Sequence, residues 1–359
     1  MSERMINQFL EMVQIDSESG DEAAMIDYLV KEFEKIGAQA EKDNYGNLIA
    51  KLPGKNSKNT EPILLSCHAD TVMPGKGIKP VVKDGVIRSS GDTILGADDK
   101  AGIAEMLEAL RVAEVHPPVE IAISRQEEVG LLGVKNLDYS KLTAKKGYLL
   151  DNDTLDTIVI GGPSYFAIDV NIKGRAAHAG MEPEKGISAI LAAAKAIASL
   201  RLGRLDHETT ANVGVIKGGL IRNGVPDNAG FLAECRSLNH PKAQELADEM
   251  VKIITEQVEA AGATVEIKVD NLCKAVDIPE DSETVNVSKR ALKKVGIDAQ
   301  TTFITGFTDA SIYNNMGIEM AVVGIGAQLE HSCEEHIHIK DMEKALTMVL
   351  EILRISAEE

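Results

Sequence analysis

Short apolar runs alternate with helix-like stretches along most of this chain, and that alternation limits the folds open to it. Ile63 to Ser66, Val119 to Ser124 and Tyr148 to Leu150 read as strands. Asp21 to Ile36 and Ala101 to Val112 read as helices. In the first helix Met25, Ile26, Leu29, Val30 and Phe33 recur at helical spacing, and Ser19 is placed to cap its start. Strands that alternate with helices predict an α/β fold with a mainly parallel central sheet flanked by helices.

From about Tyr165 the pattern changes. Phe166 to Ile172, Thr210 to Ile216, Gly230 to Arg236 and Thr264 to Val269 read as strands, and Ile187 to Leu200 and Pro241 to Ala261 as helices. The order β-α-β-β-α-β predicts a ferredoxin-like α+β unit with four antiparallel strands and two helices. After about Leu272 the first pattern resumes, with helices at Glu283 to Val295 and Lys340 to Ile355 and strands near Thr302 and at Met320 to Val323. The expected organisation is one domain of residues 1–164 and 271–359, interrupted by an inserted domain of residues 165–270. A chain of 359 residues is long enough for two cores.

Composition narrows the function. The formal charge of −18 argues against nucleic acid and anionic membrane surfaces, which need clustered Lys and Arg. No run approaches the ~20 apolar residues of a membrane span. Met1 to Asp16 reads as an amphipathic helix without the basic flank and apolar centre of a signal peptide. Cys67, Cys235, Cys273 and Cys333 are far apart and form no CxxC pair, which suits a reducing cytoplasm.

Acidic and histidine clusters then fall where predicted strands end, the side of an open α/β sheet where ligands collect. They are His68-Ala69-Asp70, Asp98-Asp99, Glu127-Glu128 and Asp151. A further cluster, His331 with Glu334, Glu335, His336 and His338, lies near the C-terminus. Residues two apart in an extended chain face the same way, so Asp70 is placed to support His68 as carboxylates support metal-bound imidazoles. Taken singly, these are more often a hydrogen-bonded loop, a helix cap or a solvated turn. Their joint placement along one sheet points to a metal site. Gly218-Gly219 and Asn223-Gly224 read as turns, and no phosphate-loop or dinucleotide fingerprint is present.

These residues resemble the M20 metallopeptidases, and within them the peptidase T-like branch, over nearly the whole chain. The resemblance is carried by Ser66-Cys67-His68-Ala69-Asp70-Thr71-Val72, Ile94-Leu95-Gly96-Ala97-Asp98-Asp99-Lys100-Ala101-Gly102, Gln126-Glu127-Glu128-Val129-Gly130, Gly174-Arg175-Ala176-Ala177-His178-Ala179-Gly180 and His331-Ser332. It implies two zinc ions per subunit, with Mn²⁺ or Co²⁺ also suited to such ligands. His68 and Asp151 would hold one, Glu128 and His331 the other, and Asp98 would bridge them. Asp70 would orient His68, and Glu127 would be the general base. A cis peptide is implied between Asp98 and Asp99. His178 would stabilise the oxyanion, often across a dimer, and Asn223 and Arg236 would hold a substrate carboxylate. His336 and His338 rank below His331 as ligands only through this motif match.

The chain departs from the pattern at Phe307, where relatives often carry a glycine before Thr-Asp. If that loop borders the substrate, the pocket is narrowed. The activity implied is hydrolysis of the N-terminal peptide bond of short peptides by a cytoplasmic homodimer whose inserted domain serves as lid and dimer interface. The alternative within the family is removal of acyl groups from N-acyl amino acids. A non-catalytic binding protein on the same fold would be expected to lack Glu127 or a ligand, and none is missing.

Overall fold

The computed structural model describes residues 2–358. Two compact units emerge from its internal contacts: one runs up to Gly161 and resumes at Asp277, and the other is Gly162–Val276.

The first unit is built on a twisted sheet. Across it run Gln39–Lys42, Leu48–Leu52, Val119–Ser124, Ile63–His68, Lys146–Asn152, Glu319–Gly324 and Thr157–Gly162, in that order. The four from Val119–Ser124 to Glu319–Gly324 are mutually parallel. Ile63–His68 and Val119–Ser124 are buried at every position, so both faces are covered, as parallel sheets require. On one face the helices Ser2–Val13, Ala97–Val112 and Ile339–Ser356 pack on one another. On the other, Leu64, Ala122, Leu149, Met320 and Val322 share a core with Tyr313 of the short helix Asp309–Asn315. Phe307 packs against that same cluster. A smaller sheet joins Pro80–Lys83, Val86–Ser89, His336–His338 and Ala327–Gln328, and brings the chain around His331 back to the rest of the unit.

The helix Ala97–Val112 begins four residues before the apolar spacing suggests. Asp98 and Asp99 are not helical in backbone angle, and the peptide between them is cis. The helix can press on the end of Lys146–Asn152 because Gly102 has no side chain. A Cβ there would stand 2.4 Å from Asp99 Oδ1 and 2.6 Å from the Leu150 carbonyl.

The expected cap at Ser19 is corrected. The second helix is Ala23–Lys35 with Glu22 at its N-cap position, and Ser19 Oγ instead donates to Asp70 at 2.7 Å. A partner 51 positions away outcompetes the local cap.

The second unit is an antiparallel sheet backed by two helices. Its order is Gly203–Arg204, Thr209–Gly218, Asn228–Ser237, Ser164–Lys173 and Thr264–Cys273, five strands rather than the four expected. The extra one has two residues, too short to show a periodic pattern. The helices Ala189–Ser199 and His240–Ala260 cover one face through Ala192, Ala193, Ala196, Ala247, Met250 and Ile254. Asn239 caps the longer helix by accepting the Lys242 N–H. Ala177–His178 and Gly224–Val225 form a separate two-stranded ribbon.

Candidate metal centre

The C-terminal ends of the parallel strands, with the loops beyond them, bring five side chains together. His68 is the last residue of its strand, and Asp151 lies near the end of the neighbouring one. Glu128 stands in the turn after Val119–Ser124, and Asp98 at the mouth of Ala97–Val112. His331 arrives in a left-handed conformation, φ 58°, in the loop before His336–His338.

Each imidazole Nε2 meets two carboxylates. His68 Nε2 is 3.0 Å from Asp98 Oδ1 and 3.4 Å from Asp151 Oδ1. His331 Nε2 is 3.1 Å from Asp98 Oδ2 and 2.9 Å from Glu128 Oε1. Asp98 therefore gives one oxygen to each histidine.

The electrostatics of this cluster are unbalanced. Burial raises the Asp151 carboxyl to about 6. Glu127, also raised first by burial and then by Asp151, Asp309 and Glu128, lies well above the carboxylate range. Asp98 and Glu128 raise His331 as well, to about 10, by favouring its charged form. Burial opposes charge on His68, but Asp151, Asp70 and Asp98 outweigh it and raise its pKa strongly. Carboxylates thus outnumber the groups that could neutralise them.

Such a donor set fits a pair of divalent cations. Imidazole nitrogen and carboxylate oxygen are ligands that zinc accepts, and two shared sets of three leave positions open. Ligand atoms about 2.1 Å from one tetrahedral ion stand roughly 3.4 Å apart, close to the separations here. One atom from each of His68, Asp98 and Glu128 lies within 4.8 Å of the others, and the same holds for His68, Asp99 and Asp151.

Asp70 is fully buried and does more than face His68. Its Oδ1 accepts the Glu127 N–H at 2.9 Å, and its Oδ2 accepts the Glu128 N–H at 3.2 Å. The His68 ring meets the Asp70 main-chain oxygen at 3.0 Å, nearer than the carboxylate at 3.6 Å. Burial works to raise the Asp70 carboxyl, yet His68, Ser19 and the Glu127 N–H hold it below the usual range. It stays an anion and an acceptor for the turn that carries Glu127 and Glu128.

The same turn is anchored from its other side by Glu22, which is fully buried. One Glu22 oxygen takes Arg125 Nε at 2.8 Å and Nη2 at 2.7 Å, and the other takes the Gln126 N–H at 3.2 Å. Asp99 accepts the His68 N–H at 3.1 Å. Asp309, raised to about 7 by burial, accepts from Ser124 Oγ. Neither Glu22 nor Glu335 is singled out by the sequence, because Glu22 meets Arg125 and the Gln126 N–H more than 100 positions away and Glu335 meets main-chain groups more than 230 positions away.

The inserted unit holds the remaining candidates. His178 pairs with Gly224 in the ribbon, and the Ala179 N–H donates to the Asn223 carbonyl at 3.0 Å, so His178 and Asn223 sit side by side, both exposed. Arg236 lies on the strand Asn228–Ser237. Its Nη2 donates to Glu234 at 2.9 Å, and its guanidinium stands 4.4 Å from the centre of the Tyr165 ring.

Comparison with known proteins agrees with this architecture. A model of the peptidase dimerisation domain matches residues 163–261. The crystal structure of aminopeptidase PepT from Bacillus cereus superposes with a TM-score of 0.92 at 38% identity, over 100% of this chain and 99% of that one. A tripeptidase from Staphylococcus aureus gives 0.94 at 35% identity, over 99% of each chain. Peptidase T of Listeria welshimeri is 24% identical over the full length of both sequences. With a full-length fold shared at this identity, the chain is a metallopeptidase of the M20 family, in its peptidase T-like branch.

Proposed function

We propose that this peptidase is a di-zinc aminopeptidase that cuts the N-terminal peptide bond of short peptides. The observation that carries the proposal is the Asp98 carboxylate, divided between His68 and His331 at 3.0 and 3.1 Å. Similarity to an aminopeptidase and a tripeptidase above 30% identity supports the substrate class.

His68, Asp98 and Asp151 would hold one ion, and Asp98, Glu128 and His331 the other. When bound, the pair would acidify a water and polarise the scissile carbonyl. Glu127 takes the proton of the attacking water and passes it to the departing nitrogen. Its burial suits that task, because a carboxyl shielded from bulk water holds a proton more readily. Asp70 fixes Glu127 through the main chain, so the base cannot drift from the ligand beside it.

His178 would donate to the oxyanion of the tetrahedral intermediate, supplied by the partner subunit of a homodimer. Asn223, adjacent to it, and Arg236 would hold the substrate carboxylate. Arg236 donates to Glu234, and its guanidinium carries donors in a planar fork whose shape suits a carboxylate. The cytoplasmic assignment is supported by four cysteines that form no disulfide among the described residues. No described helix is long and apolar enough to cross a membrane.

The test is hydrolysis of a free tripeptide beside its N-acetylated form, with metal-stripped and zinc-restored protein. The proposal predicts zinc-dependent cleavage of the free peptide alone. Cleavage of only the acetylated form would make the protein a deacylase.

A further inference from the structure

One buried carboxylate joins the two loops that present Asp98 and His331. Glu335 is 2% exposed. Its Oε2 accepts the N–H groups of Leu95 and Gly96, both at 2.7 Å. Its Oε1 accepts those of Ala97 at 2.7 Å and Asp98 at 3.1 Å. Four consecutive donors at the start of Ala97–Val112 thus converge on one anion, where unpaired N–H groups and the helix dipole favour negative charge. Gly96, at φ 72°, makes the turn that aims them together.

Glu335 also belongs to the turn that carries His331. Its N–H donates to the Ser332 carbonyl at 3.1 Å, and Ser332 Oγ donates to the Leu329 carbonyl at 2.7 Å. The side chain of one loop therefore grips the main chain of the other, four residues from the point where His331 meets Asp98.

We propose that Glu335 is a positioning residue that sets the separation of Asp98 and His331, and so selects for the ion between Glu128 and His331. The inference rests on the two-cation reading above. His68 and Asp151 ride on adjacent sheet strands and owe their placement to the ladder between those strands. Asp98 and His331 share no such ladder, and Glu335 takes its place. In Glu335→Gln one acceptor oxygen becomes an amide that confronts N–H donors, so part of the clamp turns repulsive with almost no change of shape.

The experiment is zinc competition titration of the metal-stripped full chain, with circular dichroism to verify folding. Wild type is expected to bind two ions. Glu335→Gln should weaken the ion held by Glu128 and His331 roughly 10- to 100-fold, the usual cost of losing a group that orients a ligand, and weaken the other clearly less, because both use Asp98 but only the first also uses His331. Glu335→Asp keeps the charge but loses reach and should behave alike, and it decides the matter if the Gln variant does not fold. Glu108→Gln, on the same helix and outside the centre, should lower the unfolding midpoint without altering either affinity. Wild-type affinities in both Glu335 variants would overturn the inference, as would equal weakening of both sites or a matching loss in Glu108→Gln. Failure of wild type to bind two ions would overturn the two-cation reading instead.

Discussion

At the scale of single residues, the centre divides into groups that face the cluster and groups that hold them. Glu127 is the first kind. Glu127→Gln removes the base but no proposed ligand, so kcat should fall roughly 10²- to 10⁴-fold while two zinc ions remain bound. Steady-state kinetics beside metal analysis checks this, and full activity would remove the assignment. Asp70 is the second kind. Asp70→Asn turns an NH₂ toward main-chain N–H donors, and it should lower kcat and zinc affinity together, because Glu127 and Glu128 both hang from that carboxylate. A drop in kcat with unchanged affinity would confine Asp70 to the base. The two kinds differ in how far they are legible. His68, Asp98, Glu127, Glu128 and Asp151 stand out because chemistry-bearing residues cluster at strand ends, whereas His331 is separated from His336 and His338 only by the family motif. Ser19, Glu22 and the clamp of Glu335 do not, because their partners are 51 to 240 positions away.

At the scale of elements, the helix Ala97–Val112 decides how the centre is assembled. It starts on Asp98, leans on the sheet at Gly102 and is tied outward at Glu108. Gly102→Ala should cost about 1–3 kcal/mol in urea unfolding and weaken zinc binding, since the new methyl group has no room beside Asp99. Glu108 is buried and takes Arg4 at 2.7 Å and Arg111 at 3.0 Å. Burial works to raise its pKa, but both guanidinium groups outweigh that and lower it. A lowered folded pKa means that its stabilisation is complete above the unfolded value, about 4.3, and is lost as pH falls through the folded value. Glu108→Gln should therefore cost about 1.5 kcal/mol at pH 7, a low figure because Arg4 is half exposed, and the gap should close in acid. A gap that widens on acidification would refute the sign. The buried strands are legible as short apolar runs, interrupted in Val119–Ser124 by Glu120. The start of the helix is not, because Asp98 and Asp99 have neither helical angles nor apolar spacing.

At the scale of the whole molecule, the sequence pattern shows an α/β fold with an antiparallel block inside it, and misses the two-residue strand Gly203–Arg204 and the ribbon that seats His178. Those pieces are too short for periodicity and are defined by pairing alone. The match to a peptidase dimerisation domain bears on how the chain assembles. We expect a homodimer by light scattering. Mixing Glu127→Gln with His178→Ala protein and allowing subunits to exchange should restore activity, because one of the two sites then joins an intact Glu127 to an intact partner His178. No recovery would place His178 in its own subunit's site or outside catalysis.

Everything at the larger scales depends on whether Asp98 lies between two ions. Crystals grown with zinc and measured at the zinc absorption edge test that directly. Two anomalous peaks are expected, one facing His68 and Asp151 and the other Glu128 and His331, with the Asp98 carboxylate between them. A single peak, or none beside Asp98, would contradict that arrangement.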